Sequence, residues 1–282
     1  PPEIKEKIPQ GCQTVYWDYF ATDKKRYDAM MKSSKNLSPE VWFSGGAWTW
    51  GTFAPHNKYS IGRNAVAIPC CIENGVRNAF FTLWGDNGGE CSRYANLPVL
   101  FYLAEYAKGN TDEAAIKAKF EKKFGLSFDD FMLLDAPNQI NGTSVDYHSP
   151  VNPSKYMLYS DPFLGYLDYT VSDGDSAYYL PLSRELYGIS KKSRAYGYLF
   201  KTAAKLCEVL SVKYELGLKT RKAYNAGDKV ELMRLANNEF KEAIRLMREF
   251  GDVYEAQWFR DNKPHGFDVQ ELRIGGVEIR AE

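Results

Sequence analysis

The first hundred residues repeat one alternation: a short apolar run, a polar loop rich in glycine and aromatics, then apolar residues at helical spacing. The runs "QTVYW" (13–17), "VWFS" (41–44) and "VRNAFFTL" (76–83) predict strands, with helices at about 23–35, 60–73 and 93–107. Strand starts separated by roughly 30 residues, with a helix in each interval, are the mark of βα units that build a parallel sheet. Further on, "TDEAAIKAKFEKKFG" (111–125) opens with a capping Thr and acids and stops at Gly, as a helix should. Between about 136 and 187, Pro and Gly are scattered among aromatics, which predicts a loop-rich stretch. Two long apolar periodicities follow, about 189–224 and 228–261, separated by "NAGD", and they predict an antiparallel helical hairpin. The expected fold is therefore α/β over residues 1–110, followed by a mostly helical domain over 111–282 in which 136–187 is loop-rich and 189–261 is the hairpin.

Composition narrows the function. Lys plus Arg and Asp plus Glu both total 36, so there is no net basic field to draw in nucleic acid or an anionic membrane. No apolar run approaches the roughly 20 residues that a membrane-spanning helix needs. Five cysteines, an odd number with no CxxC pair, favour reduced thiols and a cytoplasmic setting, although localisation stays open. The chain starts at Pro1 without Met and ends at Glu282 on an amphipathic pattern, so it is expected to be part of a longer protein.

Ligands of parallel α/β sheets bind at the carboxyl ends of the strands. Each predicted strand delivers aromatics there: Trp17 and Tyr19 in "YWDYF", Trp48 and Trp50 in "GGAWTWGTF", Trp84 in "LWGDNGG". Packing alone would account for any one of them. Their recurrence beside Gly or Asp points instead to an aromatic box that stacks on a sugar ring, with Asp18 and Asp86 accepting from its hydroxyls. Other chemistries lack their signatures. His56, His148 and His265 are dispersed, which argues against a metal site, and there is no GxSxG, Walker loop or GxGxxG after a strand. Cys70 and Cys71 fall on an apolar helix face, where inert buried thiols are the common case. No cofactor is expected.

The segments "VYWDYF", "FSGGAWTWGTFAPHN", "FFTLWGDNGGECS", "LPVLFYLAEYAKGN" and "NKPHGFDVQELRIGGVEIR" together resemble glycoside hydrolase family 20, in particular the bacterial β-N-acetylhexosaminidases with an extra helical domain after the barrel. The resemblance implies that the βα units are the last three of a (β/α)8 TIM barrel. It implies that Trp17, Trp50 and Trp84, with Trp48, wall the subsite for a terminal N-acetylhexosamine. Asp86 would bind sugar hydroxyls, and Tyr19 is the candidate donor to the acetamido oxygen. The mechanism it implies is substrate-assisted and retaining, with an Asp-Glu pair at the end of strand four. That pair is expected upstream of this chain, because the one Asp-Glu here, Asp112-Glu113, follows a helix-capping Thr where acids favour the helix dipole.

The expected partner is thus an oligosaccharide or glycoconjugate ending in N-acetylhexosamine, with no nucleic acid and no membrane. Two alternatives stand beside the enzyme: a noncatalytic carbohydrate-binding module that kept the tryptophans, and a helical interaction protein that forms a homodimer through 189–261.

Overall fold

The computed structural model describes residues 2–142 and 151–282. His148, and the 143–150 part of the expected loop-rich stretch, lie outside them. Three strands, β1 (Thr14–Trp17), β2 (Val41–Gly46) and β3 (Asn78–Thr82), form a parallel sheet in the order β1-β2-β3. Its register sets Tyr16 beside Phe43 and Phe43 beside Ala79. Helices α1 (Lys24–Leu37) and α2 (Asn57–Glu73) make the two crossovers, as parallel pairing requires.

Side chains alternate across a strand, so each strand offers two faces. One face is closed: Tyr16, Val41 and Phe43 pack with Tyr27 and Met31 of α1 and with Ala67, Cys70 and Cys71 of α2. Burial raises both thiols there above the ordinary range, Cys71 to about 12. The other face is open, with Val15, Trp17 and Phe80 40% or more exposed.

The rest of the described chain is mostly helical. After α3 (Leu97–Ala107) and α4 (Glu113–Phe124), it continues through α5 (Pro153–Tyr159), α6 (Tyr179–Ser190) and α7 (Gly197–Lys213). The final pair is α8 (Lys241–Asp261) and α9 (Phe267–Ala281). A continuous core runs from Val99 and Leu103 through Phe120, Phe131, Phe200 and Phe250 to Ile274.

Two expectations change here. The stretch expected to be loop-rich holds α5 and all but the end of α6, whose Pro181 sits in the first turn, where its missing N–H would have had no intrahelical partner. The first long helix does not start at 189 but at Gly197, because the charged segment 191–194 has no apolar residue to bury and turns instead. Tyr198 at the start of α7 donates to Asp261 at the end of α8 at 2.7 Å, and Lys205 meets Glu249 at 2.9 Å.

Phe43 is fully buried on the closed sheet face, 5.8 Å from the Tyr16 ring and 6.0 Å from Tyr27. Phe43→Ala is expected to lower the unfolding free energy by about 3 to 5 kcal/mol in urea titrations. A loss under about 1 kcal/mol would contradict this packing.

Candidate functional site

Trp17 is the last residue of β1, Trp48 and Trp50 follow β2, and Trp84 follows β3, so all four stand at the carboxyl edge of the sheet. They form two stacked pairs. Trp17 and Trp84 lie 5.7 Å apart at 14°, and Trp48 and Trp50 lie 4.2 Å apart at 17°. Tyr19 stands between the pairs, 5.0 Å from Trp50 and 6.0 Å from Trp17. Its hydroxyl accepts from Trp84 Nε1 at 2.6 Å and shares a 2.5 Å bond with Thr82 Oγ1. This arrangement depends on Gly46, where a Cβ would come within 2.8 Å of Trp50 and 2.9 Å of Tyr19.

The pairs differ in what they offer a ligand. Trp17 and Trp84 are 50% and 42% exposed. A ring sandwiched between them would need about 7 Å, twice the carbon contact distance, so the available surface is their outer faces and shared rim. Trp48 instead packs against His56 and Tyr59 and donates its Nε1 to the Trp50 carbonyl. The space enclosed by Tyr19, Trp48, Trp50 and Tyr59 leaves no room for even a water.

The two acidic candidates also separate. Asp18 is committed to its own turn: Oδ1 accepts from the Phe20 and Ala21 N–H groups at 2.7 and 2.8 Å, and Oδ2 accepts from the Tyr16 hydroxyl at 2.5 Å. Burial and the Asp18 charge together push the Tyr16 phenol far above its usual range. Asp86 is exposed and its carboxylate has no partner among the described residues, while its carbonyl accepts from Gly51 N–H at 2.9 Å.

Residues outside the expected sugar box hold these loops from the helical side. His56, at the mouth of α2, bonds Asn152 at 2.6 Å, and Asn138 donates to Thr52 at 2.9 Å while accepting from Ser154 at 2.6 Å. Asp135 takes the Lys58 N–H at 2.8 Å, which caps α2 from the helical side. Burial raises Asp135 to about 7 against that hydrogen bond. No local pattern marks these residues, because their partners lie between 16 and 96 residues away in sequence. His265 is exposed. Among the described residues, no three His, Cys, Asp or Glu side chains gather in a group that could hold a metal. No helix there is long and apolar enough to cross a membrane.

A family model described as the Glycoside Hydrolase 20C C-terminal domain matches residues 129–282, more than half of the chain. The chain belongs to this family. No curated protein matches the chain. The glycoside hydrolase 20C match starts within the helical part, so it includes Asp135, Asn138, Asn152 and Ser154 but none of the four edge tryptophans.

Burial pulls His56 down to about 4 from 6.5, with the Asn152 bond opposing. A base whose folded pKa is depressed binds fewer protons folded than unfolded, so its stability contribution is lost as pH falls from 6.5 toward 4. His56→Gln should therefore gain about 2 kcal/mol relative to the parent between pH 7.5 and pH 5, read as the change in urea-derived stability difference. An unchanged difference would contradict the buried neutral imidazole.

Proposed function

We propose that this chain supplies the sugar-binding edge of a β-N-acetylhexosaminidase, an exo-glycosidase that removes terminal N-acetylglucosamine or N-acetylgalactosamine. The observation that carries the reading is the exposed Trp17–Trp84 pair with the unengaged Asp86 carboxylate two residues on from Trp84, at the carboxyl edge of a parallel sheet, in a glycoside hydrolase 20C chain. The indoles stack on the apolar face of the sugar and exclude water, and Asp86 accepts from hydroxyls remote from the reacting carbon.

On this reading residues 1–110 are the last βα units of a (β/α)8 barrel, and 111–282 are the helical domain. The open sheet face bearing Val15, Trp17 and Phe80 supports it, because a closed barrel covers that face with further strands, and three strands are found among the described residues. Buried Ser44 Oγ and Trp42 Nε1, both without a hydrogen-bond partner among the described residues, support it too. The Tyr198–Asp261 and Lys205–Glu249 contacts support an antiparallel pairing of α7 and α8.

In the reaction the substrate's acetamido oxygen attacks the anomeric carbon as the glycosidic bond breaks. A general acid gives its proton to the leaving oxygen, and water then opens the oxazoline with net retention. Neither carboxylate of Asp112-Glu113 is placed for this. Asp112 caps α4, accepting from the Ala114 and Ala115 N–H groups at 3.0 and 3.2 Å, and Glu113 pairs with Lys117 at 3.1 Å. We assign the acid and its partner Asp to residues outside this sequence. Tyr19 remains the candidate acetamido donor, which requires its hydroxyl to exchange Thr82 for substrate.

In the full-length protein, Asp86→Ala should lower kcat/KM on 4-nitrophenyl N-acetyl-β-D-glucosaminide by about tenfold to a hundredfold, the worth of one hydrogen bond to a charged acceptor. Trp84→Ala should weaken the same constant. Unchanged constants in both variants would remove the site assignment, and sugar binding without hydrolysis in the parent would favour the noncatalytic module.

A further inference from the structure

The loop that carries Asp86 is held from the helical side by buried charge. Glu90 has a fully buried side chain and Lys155 on α5 is 3% exposed, with 2.9 Å between carboxylate and ammonium. The Lys155 ammonium also donates to the Asn87 carbonyl at 2.5 Å. Arg273 on α9 donates from Nη1 to Glu90 at 2.9 Å and to the Asn87 carbonyl at 3.0 Å. Beside it, Gln270 donates to the Gly88 carbonyl at 2.9 Å. Two cations from separate helices thus converge on one backbone carbonyl, one residue past Asp86.

The loop backbone is shaped to accept them. Asn87, Gly88 and Gly89 all have positive φ (59°, 122° and 65°), which turns the Asn87 and Gly88 carbonyls toward α5 and α9. A Cβ on Gly88 would come within 2.3 Å of Glu90 Oε1 and 2.6 Å of Arg273 Nη1, so the close approach requires glycine. On its other side the loop is tied to the segment after β2, where Thr49 Oγ1 donates to the Trp84 carbonyl at 3.1 Å and Gly51 N–H to that of Asp86 at 2.9 Å. Both flanks of Asp86 are therefore fixed, while its carboxylate stays free.

A buried carboxylate with two cations is a costly way to gain stability, since an apolar cluster of the same volume often does as well. What such a network supplies is one defined geometry. We propose that Glu90, Lys155 and Arg273 are positioning residues that hold the Asp86 loop in its sugar-binding conformation, so that the helical domain sets the affinity of the sugar site. This rests on the reading of the Asp86 loop as a sugar-binding loop.

The test uses the full-length protein with Arg273→Met, Lys155→Met and Arg273→Lys, the first chosen because Arg273 is a third exposed and Lys155 still faces Glu90 when it is lost. Two readouts are needed: amide hydrogen exchange across 84–90, and KM with kcat on 4-nitrophenyl N-acetyl-β-D-glucosaminide. Arg273→Met should speed exchange in 84–90 but not in 41–46. It should raise KM by about tenfold with little change in kcat, and Arg273→Lys should recover part of that loss. In an Asp86→Ala background the same substitution should leave KM where Asp86→Ala put it. Unchanged exchange at 84–90, or an equal KM penalty without Asp86, overturns the proposal. A parent protein that neither hydrolyses the probe nor binds N-acetylglucosamine overturns the hexosaminidase reading, and the affinity role with it. An active parent with unchanged exchange overturns the clamp alone.

Discussion

The Glu90 carboxylate is wholly withdrawn from water, and a charge in that position is tolerable only when cations and hydrogen bonds replace its hydration. Lys155 and Arg273 do so from two helices far apart in sequence, and the burden also falls on Lys155, whose ammonium is pulled below its ordinary range by burial while Glu90 opposes the shift. Meeting that requirement locks three things together: the β3 loop, α5 and α9. The neighbouring contacts follow the same logic, with His56–Asn152, Thr52–Asn138 and Lys58–Asp135 joining the β2 loop and α2 to the segment before and at α5. The helical layer is therefore a support under the loops, joined to them by polar contacts that admit few alternative registers.

On the proposed reading, the upper side of those loops offers a surface for an amphiphilic ring. An exposed indole pair supplies apolar area with little rotamer entropy to lose, and the free Asp86 carboxylate, two residues past Trp84, supplies a directional acceptor. The second indole pair is spent on packing over α2. A hydrophobic floor, a polar rim and rigid support below are what a site needs to bind a neutral sugar with defined orientation.

The βα organisation was legible because its signals are local: strand-like runs, turn glycines and helical periodicity all act within a few residues. The placement of Trp17, Tyr19, Trp48, Trp50, Trp84 and Asp86 at one sheet edge followed from the same reading. What could not be read was the use of each side chain. Asp18 and Asp86 look alike in sequence, yet one is absorbed by its own Asx-type turn and the Tyr16 hydroxyl while the other stays free. Four tryptophans read as one box became two pairs because Tyr19 occupies the space between them. Helix α6 was masked by its Pro181, and the Lys155–Glu90–Arg273 network spans separations of 65 and 183 residues, which no local pattern encodes.

The central claim is that the Trp17–Trp84 rim and Asp86 together form a sugar site. A crystal structure of the full-length protein soaked with N-acetylglucosamine tests it most directly. The pyranose ring is expected against an exposed indole face of this pair, with a ring hydroxyl within hydrogen-bond distance of the Asp86 carboxylate. A sugar ordered elsewhere, with the Trp84–Asp86 loop unoccupied, would contradict it.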